Sequence, residues 1–545
     1  MSNALEAASL IMYPSGYGDG TLASVKPVDG TGDFTFTRGS NLSATRVALN
    51  SYIEKGYENL LLQSNTFDTT WDSASTANVT PNQQGYDGSN NAWKLISTDR
   101  STTRIAQTIS ANNLNTISIY AKAAEWNYVG LYAAGANKGV MWSLVDGSVA
   151  ERIVSLPDIY GDGESIGNGW WRFSMTYNSS STDVRIYTSS VPLYNGAGGD
   201  GVSGIYIQDA MLNQGLVAYP YIETTTAPVA GGILEDEPRI DFSDGCGHLL
   251  LEPNRTNLIT NSEYFGAYVL ESGATLDSTL YESPEGLNNA YKLNFTPTGG
   301  QITHPIKYTG EHCFSVWLKG DTEGLVGIRA AQGTPSVTEF VNVTTEWQRF
   351  NIVVTDGRFW QVFGNSTTLS SVYIYGYQIE QGSYPTSYIP TYGVSQTRLR
   401  DVQAELTIPN GNVSEGTIFY EFDKAQAPTS YQIVPLMIGS NRMLRISQYN
   451  PNMRFAINEN ATSYDEPNTY NSNVKVAVSY SGSVVKLFIN GNLRATDNTY
   501  SGSGNVIVPV NGLQVTQLNC SLESKQLLYF PTALSDDECI ALTTI

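Results

Sequence analysis

At 545 residues the chain is longer than one hydrophobic core usually supports, so three or four domains are expected. Charged residues make up only 15%, and 30 Lys and Arg against 51 Asp and Glu leave a formal charge of −21. With no dense cluster of basic residues, that balance excludes the footprint of a nucleic-acid binder. Fifty Gly and 34 Tyr, with abundant Thr and Val and hardly any Ala/Glu/Lys/Leu runs, are the vocabulary of strands and tight turns.

No apolar run is long enough to cross a membrane as a helix. The start, Met1 to Glu6, lacks the basic and apolar regions of a secretory leader, so synthesis in the cytoplasm and placement by assembly are expected. Residues 1–56, rich in Gly and turns, read as an attachment segment with little core of its own. Cys246, Cys313, Cys520 and Cys539 are too few and scattered for a disulfide framework, and His248, His304 and His312 sit in separate segments.

Next comes a repeat. Asn59-Leu60-Leu61-Leu62-Gln63-Ser64-Asn65-Thr66-Phe67 returns 198 residues later as Asn257-Leu258-Ile259-Thr260-Asn261-Ser262-Glu263-Tyr264-Phe265. Asn90 to Leu95 matches Asn288 to Leu293, and Ser118 to Lys122 matches Ser315 to Lys319. Trp170-Trp171-Arg172-Phe173 pairs with Trp347-Gln348-Arg349-Phe350, and Tyr221-Ile222 pairs with Tyr388-Ile389. Shared blocks are apolar and aromatic, while length differences fall between them, the signature of common strands with variable connections. Ile117, Ile119 and Ala121 alternate with Ser118, Tyr120 and Lys122, a strand with two distinct faces. These blocks place one β-sandwich repeat at 57–227 and a second at 257–400, joined by a connector at 228–256. The first repeat is expected to carry longer loops rich in Gly and Asp, at Asp158 to Gly169 and Asn195 to Gly201.

Residues 401–545 form a third module. Val474, Val476, Val478 and Tyr480 alternate with Lys475, Ala477 and Ser479; a Ser481-Gly482 turn, Val485, Leu487 and Ile489 then lead to Asn490-Gly491, a type I′ hairpin signal. This predicts an antiparallel meander with one buried face. Ser535 followed by Glu538 predicts a capped short helix running to about Leu542.

Three segments carry a resemblance. Gly32 to Arg38 with Ala44 to Val47, then Arg239 to Phe242 with Leu249 to Ile259, then Gln378 to Gly382 with Pro385 to Thr391, Thr397, Arg398 and Asp401 resemble bacteriophage head-spike and tail-fibre structural proteins. The hairpin ending in Asn490-Gly491 and the Ala533-Leu534-Ser535 tail are similar to concanavalin A-like (laminin G-like) lectin domains. The resemblance implies a virion protein with carbohydrate-binding-module-like sandwiches and supplies no catalytic residue set. One departure stands out. The first repeat closes with Tyr221-Ile222-Glu223-Thr224 where the second has Tyr388-Ile389-Pro390-Thr391, so its onward connection is expected to run differently.

Candidate chemistry is sparse. Glu421 and Asp423 share a strand face, as in β-sandwich glycoside hydrolases, but Ala425 leaves that pattern incomplete, and a solvated outer face explains them more simply. Tyr17-Gly18-Asp19-Gly20 and Tyr160-Gly161-Asp162-Gly163-Glu164 invite a calcium reading without the ligand spacing of a self-contained site; glycine for turns accounts for them. No metal residues and no cofactor are assigned, a structural calcium shared among loops staying open. Sugars lie with their C–H faces on aromatic rings, so Trp126, Tyr128, Trp142 and Trp360 are considered, with Trp126 and Trp360 taken as the ligand-binding candidates. Trp93, Tyr120, Trp170 and Trp317, in the shared blocks, read as core.

The sequence thus specifies an all-β chain: tandem antiparallel β-sandwiches, two jelly-roll-like repeats and a concanavalin A-like sandwich. The function expected is a non-enzymatic head fibre or spike on the virion surface, displaying modules that adhere to host or environmental glycans. Its partners would be capsid or tail proteins, met through the N-terminal segment, and further copies of itself. The alternatives are a tail-fibre receptor-binding protein, a capsule-degrading depolymerase, and a ligand-free capsid decoration protein.

Overall fold

The computed structural model describes all residues except 1, 15, 19, 41, 74–76, 99–102, 110, 112–113, 154–158, 180–182, 195–197, 332–335, 366, 409, 427–431, 450–451, 460, 468–472 and 509–520. The chain is nearly all β, 54% strand against 3% helix, and among the described residues every paired strand runs antiparallel to its neighbour.

In the first repeat, a six-stranded sheet runs in the order Ile159–Gly167, Trp170–Asn178, Leu114–Ala123, Gly204–Gln214, Ala92–Ser97, Ala77–Gln83. A five-stranded sheet containing Tyr128–Ala133 and Asp183–Ser189 faces it. Ile117, Ile119 and Ala121 point into the core between them with Val129, Leu131 and Ile186, all fully buried. The second repeat is built alike, with Glu311–Lys319 and Ser371–Gln381 at the centre of one sheet and Gly324–Ala331 and Phe359–Phe363 in the other.

Equivalence reaches single hydrogen bonds. Asn59 donates to the carbonyls of Ala210 and Ile222 and accepts from the amides of Leu61 and Leu212. Asn257 donates to Tyr377 and Ile389 and accepts from Ile259 and Ile379. Ser64, Tyr221 and Thr224 make the same triangle as Ser262, Tyr388 and Thr391. The expectation that the first repeat's onward connection differs is therefore corrected. Val229–Gly231 pairs with Tyr57–Asn59 as Gln396–Arg398 pairs with Arg255–Asn257, since Glu223 replaces Pro390 at a position that makes none of these bonds.

The third module packs an eight-stranded sheet against a six-stranded one. Asn490 (φ 47°) and Gly491 (φ 77°) both take the left-handed conformation a type I′ turn requires, and helix Asp536–Thr543 has the expected capping box. The meander is buried on both faces, not one. Val476, Val478 and Tyr480 enter the core, while Ala477 and Phe488 on the reverse are covered by Cys539 of the C-terminal helix and Ala8 and Ile11 of the N-terminal segment. That segment is not a freestanding unit. Leu10–Met12 pairs with Leu527–Tyr529, and Leu22, Phe34 and Phe36 are buried in the third module's core. The connector's strands, Ile240–Asp241 and His248–Leu251, extend the same sheet.

Two buried charge clusters fasten these parts. Arg239 meets Glu252 at 2.9 Å and also Asp401; Arg398 reaches Glu252 at 2.9 Å, and Arg38 reaches Asp401 at 3.4 Å, all sealed from water. Burial would raise the Glu252 pKa, but Arg398 and Arg239 outweigh it and hold the carboxyl down at about 2. The second cluster joins Lys55 to Glu263 and Glu285, each 2.7 Å away.

Candidate functional site

Both tryptophans chosen as ligand platforms belong to cores. Trp360 is 0% exposed and donates its indole N–H to the Ile306 carbonyl; Trp126 is 9% exposed and packs in the first repeat's core. Neither offers a ring face on which a sugar could lie. Trp142 is likewise fully buried, whereas Tyr128 is half-buried. Trp142 and Trp360 sit on strand faces turned toward the opposing sheet, whereas Trp126 lies in the connection between strands Leu114–Ala123 and Tyr128–Ala133 and folds inward from there. Trp93 and Trp170 are buried as expected, but Tyr120 is half-buried and stacks on Tyr86 at 4.1 Å, on the sheet's outer face.

Glu421 and Asp423 also differ from expectation. Glu421 is 8% exposed, not solvated, and accepts from the side-chain amides of Asn473 and Gln526, both at 2.5 Å. Asp423 lies 3.5 Å from the Lys525 ammonium. A carboxylate held by two amides is a structural acceptor. Of the calcium candidates, Asp19 lies outside the described residues, and the other segment proves to be no loop.

That segment, Ile159–Gly167, is an edge strand paired with Trp170–Asn178 through nearly its whole length. Its glycines are there for closeness rather than turning. A Cβ on Gly161 would stand 3.0–3.2 Å from Trp142 and Val140, and one on Gly163 would stand 2.8 Å from Phe173. Only glycine lets this strand lie over the large core residues below it. Tyr160, Asp162 and Glu164 consequently alternate onto the opposite face, beside Thr176, Ser174 and Arg172 of the paired strand. The alternation was visible in the sequence; the Gly and Asp content masked it.

This added strand forms one wall of a cleft of about 510 Å³ between the two repeats. Leu216 to Ala218 line it further in, and Ser278 to Leu280 with Gly286 to Asn288 of the second repeat form the opposite wall. Its volume falls within the range of small-ligand sites. Two cations, Arg152 and Arg172, face two acids, Asp162 and Glu164, among hydroxyl and amide groups. Arg172 is tied in place, donating to the Tyr219 carbonyl and lying 5.5 Å from the Tyr120 ring. At the far side the Tyr160 and Tyr291 hydroxyls meet at 3.1 Å, one from each repeat. The arrangement offers many directional donors and acceptors with little net charge, suited to a polyhydroxylated ligand rather than a polyanion.

No protein-family model matches the chain, and no curated protein matches it in sequence. The solved structures that resemble parts of it include carbohydrate-binding modules. A botulinum neurotoxin type C structure, described by its dependence on two ganglioside molecules, is 16% identical (TM-score 0.21) over 26% of this chain; the match spans 39% of the toxin chain. The CBM40 of Ruminococcus gnavus IT-sialidase, bound to α2,3-sialyllactose, is 20% identical over 25% of this chain and 84% of its own, with TM-score 0.20. The tandem CBM22 domains of Paenibacillus barcinonensis Xyn10C are 8% identical over 63% of this chain and 100% of their own, with TM-score 0.21.

Proposed function

We propose that this chain is a non-enzymatic display protein of a bacteriophage particle that binds glycans in the cleft between its two repeats. The observation that carries the ligand half of this reading is the cleft itself. An added strand of the first repeat projects Asp162 and Glu164 toward the second repeat beside a fixed Arg172. The virion half rests on the resemblance of the segments around Arg38, Arg239, Glu252, Arg398 and Asp401 to phage spike and fibre proteins. Those residues are also the ones that meet in the buried charge cluster.

In this reading the chain is made in the host cytoplasm and assembled onto the particle as a homo-oligomer. Contact with capsid or tail uses the outward side of the N-terminal segment, where Val28 and Leu49 are strongly exposed. Each cleft binds weakly, and many copies on one particle raise the overall affinity through effective concentration.

The test is a glycan array probed with the full-length chain, alongside a reducing-end assay on any glycan retained. Retention without new reducing ends is the expected result. New reducing ends would favour a depolymerase, and a blank array would favour a decoration protein without a ligand.

A further inference from the structure

The two repeats carry matching arginines, and each arginine lines a cavity. Arg172 and Arg349 stand in equivalent blocks, Trp170 to Phe173 and Trp347 to Phe350. Arg172 donates to the Tyr219 carbonyl and Arg349 to the Thr386 carbonyl, two positions that correspond through the match of Tyr221 with Tyr388. Arg349 also donates to the Ser315 hydroxyl at 2.9 Å. Across the strand pair Arg172 lies opposite Tyr120, and Arg349 lies opposite Trp317. Val316 and Leu318 enter the core, which turns Trp317 outward as Tyr120 is turned outward in the first repeat. An arginine beside an aromatic ring therefore recurs on the same face of both repeats. Arg172 lines the inter-repeat cleft, whereas Arg349 and Trp317 line a separate cavity of about 220 Å³.

That cavity lies where four parts of the chain meet. Trp317 and Arg349 share its lining with Thr45 of the N-terminal segment, Asp241 and Ser243 of the connector, and Glu523 of the third module. Trp317, expected in the core, is half-buried. In the first repeat Tyr86 stacks on Tyr120 at 4.1 Å; in the second, Pro284 takes the place of Tyr86, so Trp317 has no matching ring laid on it. The indole is nonetheless fixed in position. A Cβ on Gly376 would stand only 3.2 Å from its Cδ1, so glycine there leaves the ring its seat. The Trp317 indole N–H and the Arg349 Nε are buried, and neither makes a hydrogen bond. Buried donors without acceptors are costly, so these two call for an acceptor from outside the chain.

We propose that this cavity is a second ligand site, taking one uncharged sugar ring with Trp317 as its platform and Arg349 as a fixed donor. The choice of a sugar rests on the glycan reading of the chain, while the site itself rests on Trp317 and Arg349. Sites for drug-sized ligands span roughly 300–1,000 Å³, so the smaller volume suits a single ring rather than a chain of them. An aromatic side chain offers a flat apolar face to the C–H side of such a ring. Charges in the lining already have partners: Glu252 is held by Arg239 and Arg398, Arg46 by Glu54 and Glu237, and Asp241 by the amides of Val47 and Ser243. Each repeat then binds with the same face, the first closed over by the second repeat and the second by the N-terminal segment, connector and third module.

The competing occupant is ordered water. Saturation-transfer NMR separates the two, with the full-length chain and D-glucose, D-galactose, D-mannose and N-acetylglucosamine offered one at a time. Transfer to at least one sugar is expected, and it should persist in Asp162→Ala, whose cleft is impaired. Trp317→Phe should weaken binding by roughly tenfold. Ser243 is exposed, so Ser243→Trp should fill the cavity mouth, abolish transfer and leave Tm as in the wild type. It carries the test if Trp317→Phe lowers Tm. Transfer to none of the four sugars would leave water as the occupant and overturn the proposal, with the glycan array still deciding the cleft. Transfer unchanged in both Trp317→Phe and Ser243→Trp would place the sugar elsewhere and overturn it too.

Discussion

The ammonium of Lys55 lies 2.7 Å from Glu263 Oε1 with both side chains cut off from water, tying the N-terminal segment to the second repeat. Burial alone would strip the Lys55 proton, but Glu263 and Glu285 outweigh it and hold the pKa well above its ordinary value. The hydroxyls of Tyr375, Tyr388 and Tyr392 also converge on Glu263. Lys55→Met would leave two buried acids facing each other without a counter-charge. A loss of about 3–5 kcal/mol is expected, read as a lower guanidinium midpoint.

The other cluster sets a response to acid. Folded Glu252 titrates at about 2 against 4.5 in the unfolded chain, so its contribution is fully present above 4.5 and disappears as pH falls toward 2. Glu252→Gln should lower stability at pH 7 and make little difference at pH 2. Equal destabilisation at both pH values would show that lost packing, not charge, is responsible.

Asp209 predicts the opposite sign. Burial raises its pKa from 3.8 to about 6, despite the Tyr86 hydroxyl that donates to it at 2.8 Å. Below 3.8 both folded and unfolded chains hold the proton and nothing is lost; above about 6 the folded chain carries a buried charge. Asp209→Asn keeps an acceptor for Tyr86 and tolerates the positive φ of 55° at this bulge. It should raise Tm at pH 7.5, by up to about 3 kcal/mol of stability, and the gain should fade toward pH 4.

The cysteines should label in order of access. Cys246 is exposed, whereas burial pushes the Cys313 and Cys539 thiols up to about 12. Iodoacetamide in native buffer should modify Cys246 and spare Cys313 and Cys539, as read by peptide mass spectrometry; Cys520 lies outside the described residues. Both buried thiols should react once the chain is unfolded.

The two repeats were legible in the sequence because the residues they share are those that make the fold. Asn59 and Asn257, or Ser64 and Ser262, hold backbone in place and cannot drift without breaking bonds. Even the irregularity recurs: the central strands shift register between Ser118 and Tyr120 and again between Ser315 and Trp317. Composition misled where backbone closeness, not turning, required glycine, so strand Ile159–Gly167 passed for a loop. Amphipathic alternation cannot say what covers the second face of a sheet, so the capping box at Ser535 announced the C-terminal helix but not its packing behind Ala477. Partners such as Arg38 and Asp401 are distant in sequence, and no local pattern joins them.

Isothermal titration with a glycan retained on the array measures the cleft directly. The account predicts that Asp162→Ala and Arg152→Ala, both in the cleft lining, each weaken binding by roughly tenfold, about 1.4 kcal/mol, with Tm unchanged. Wild-type affinity in both variants would place the ligand elsewhere and contradict it.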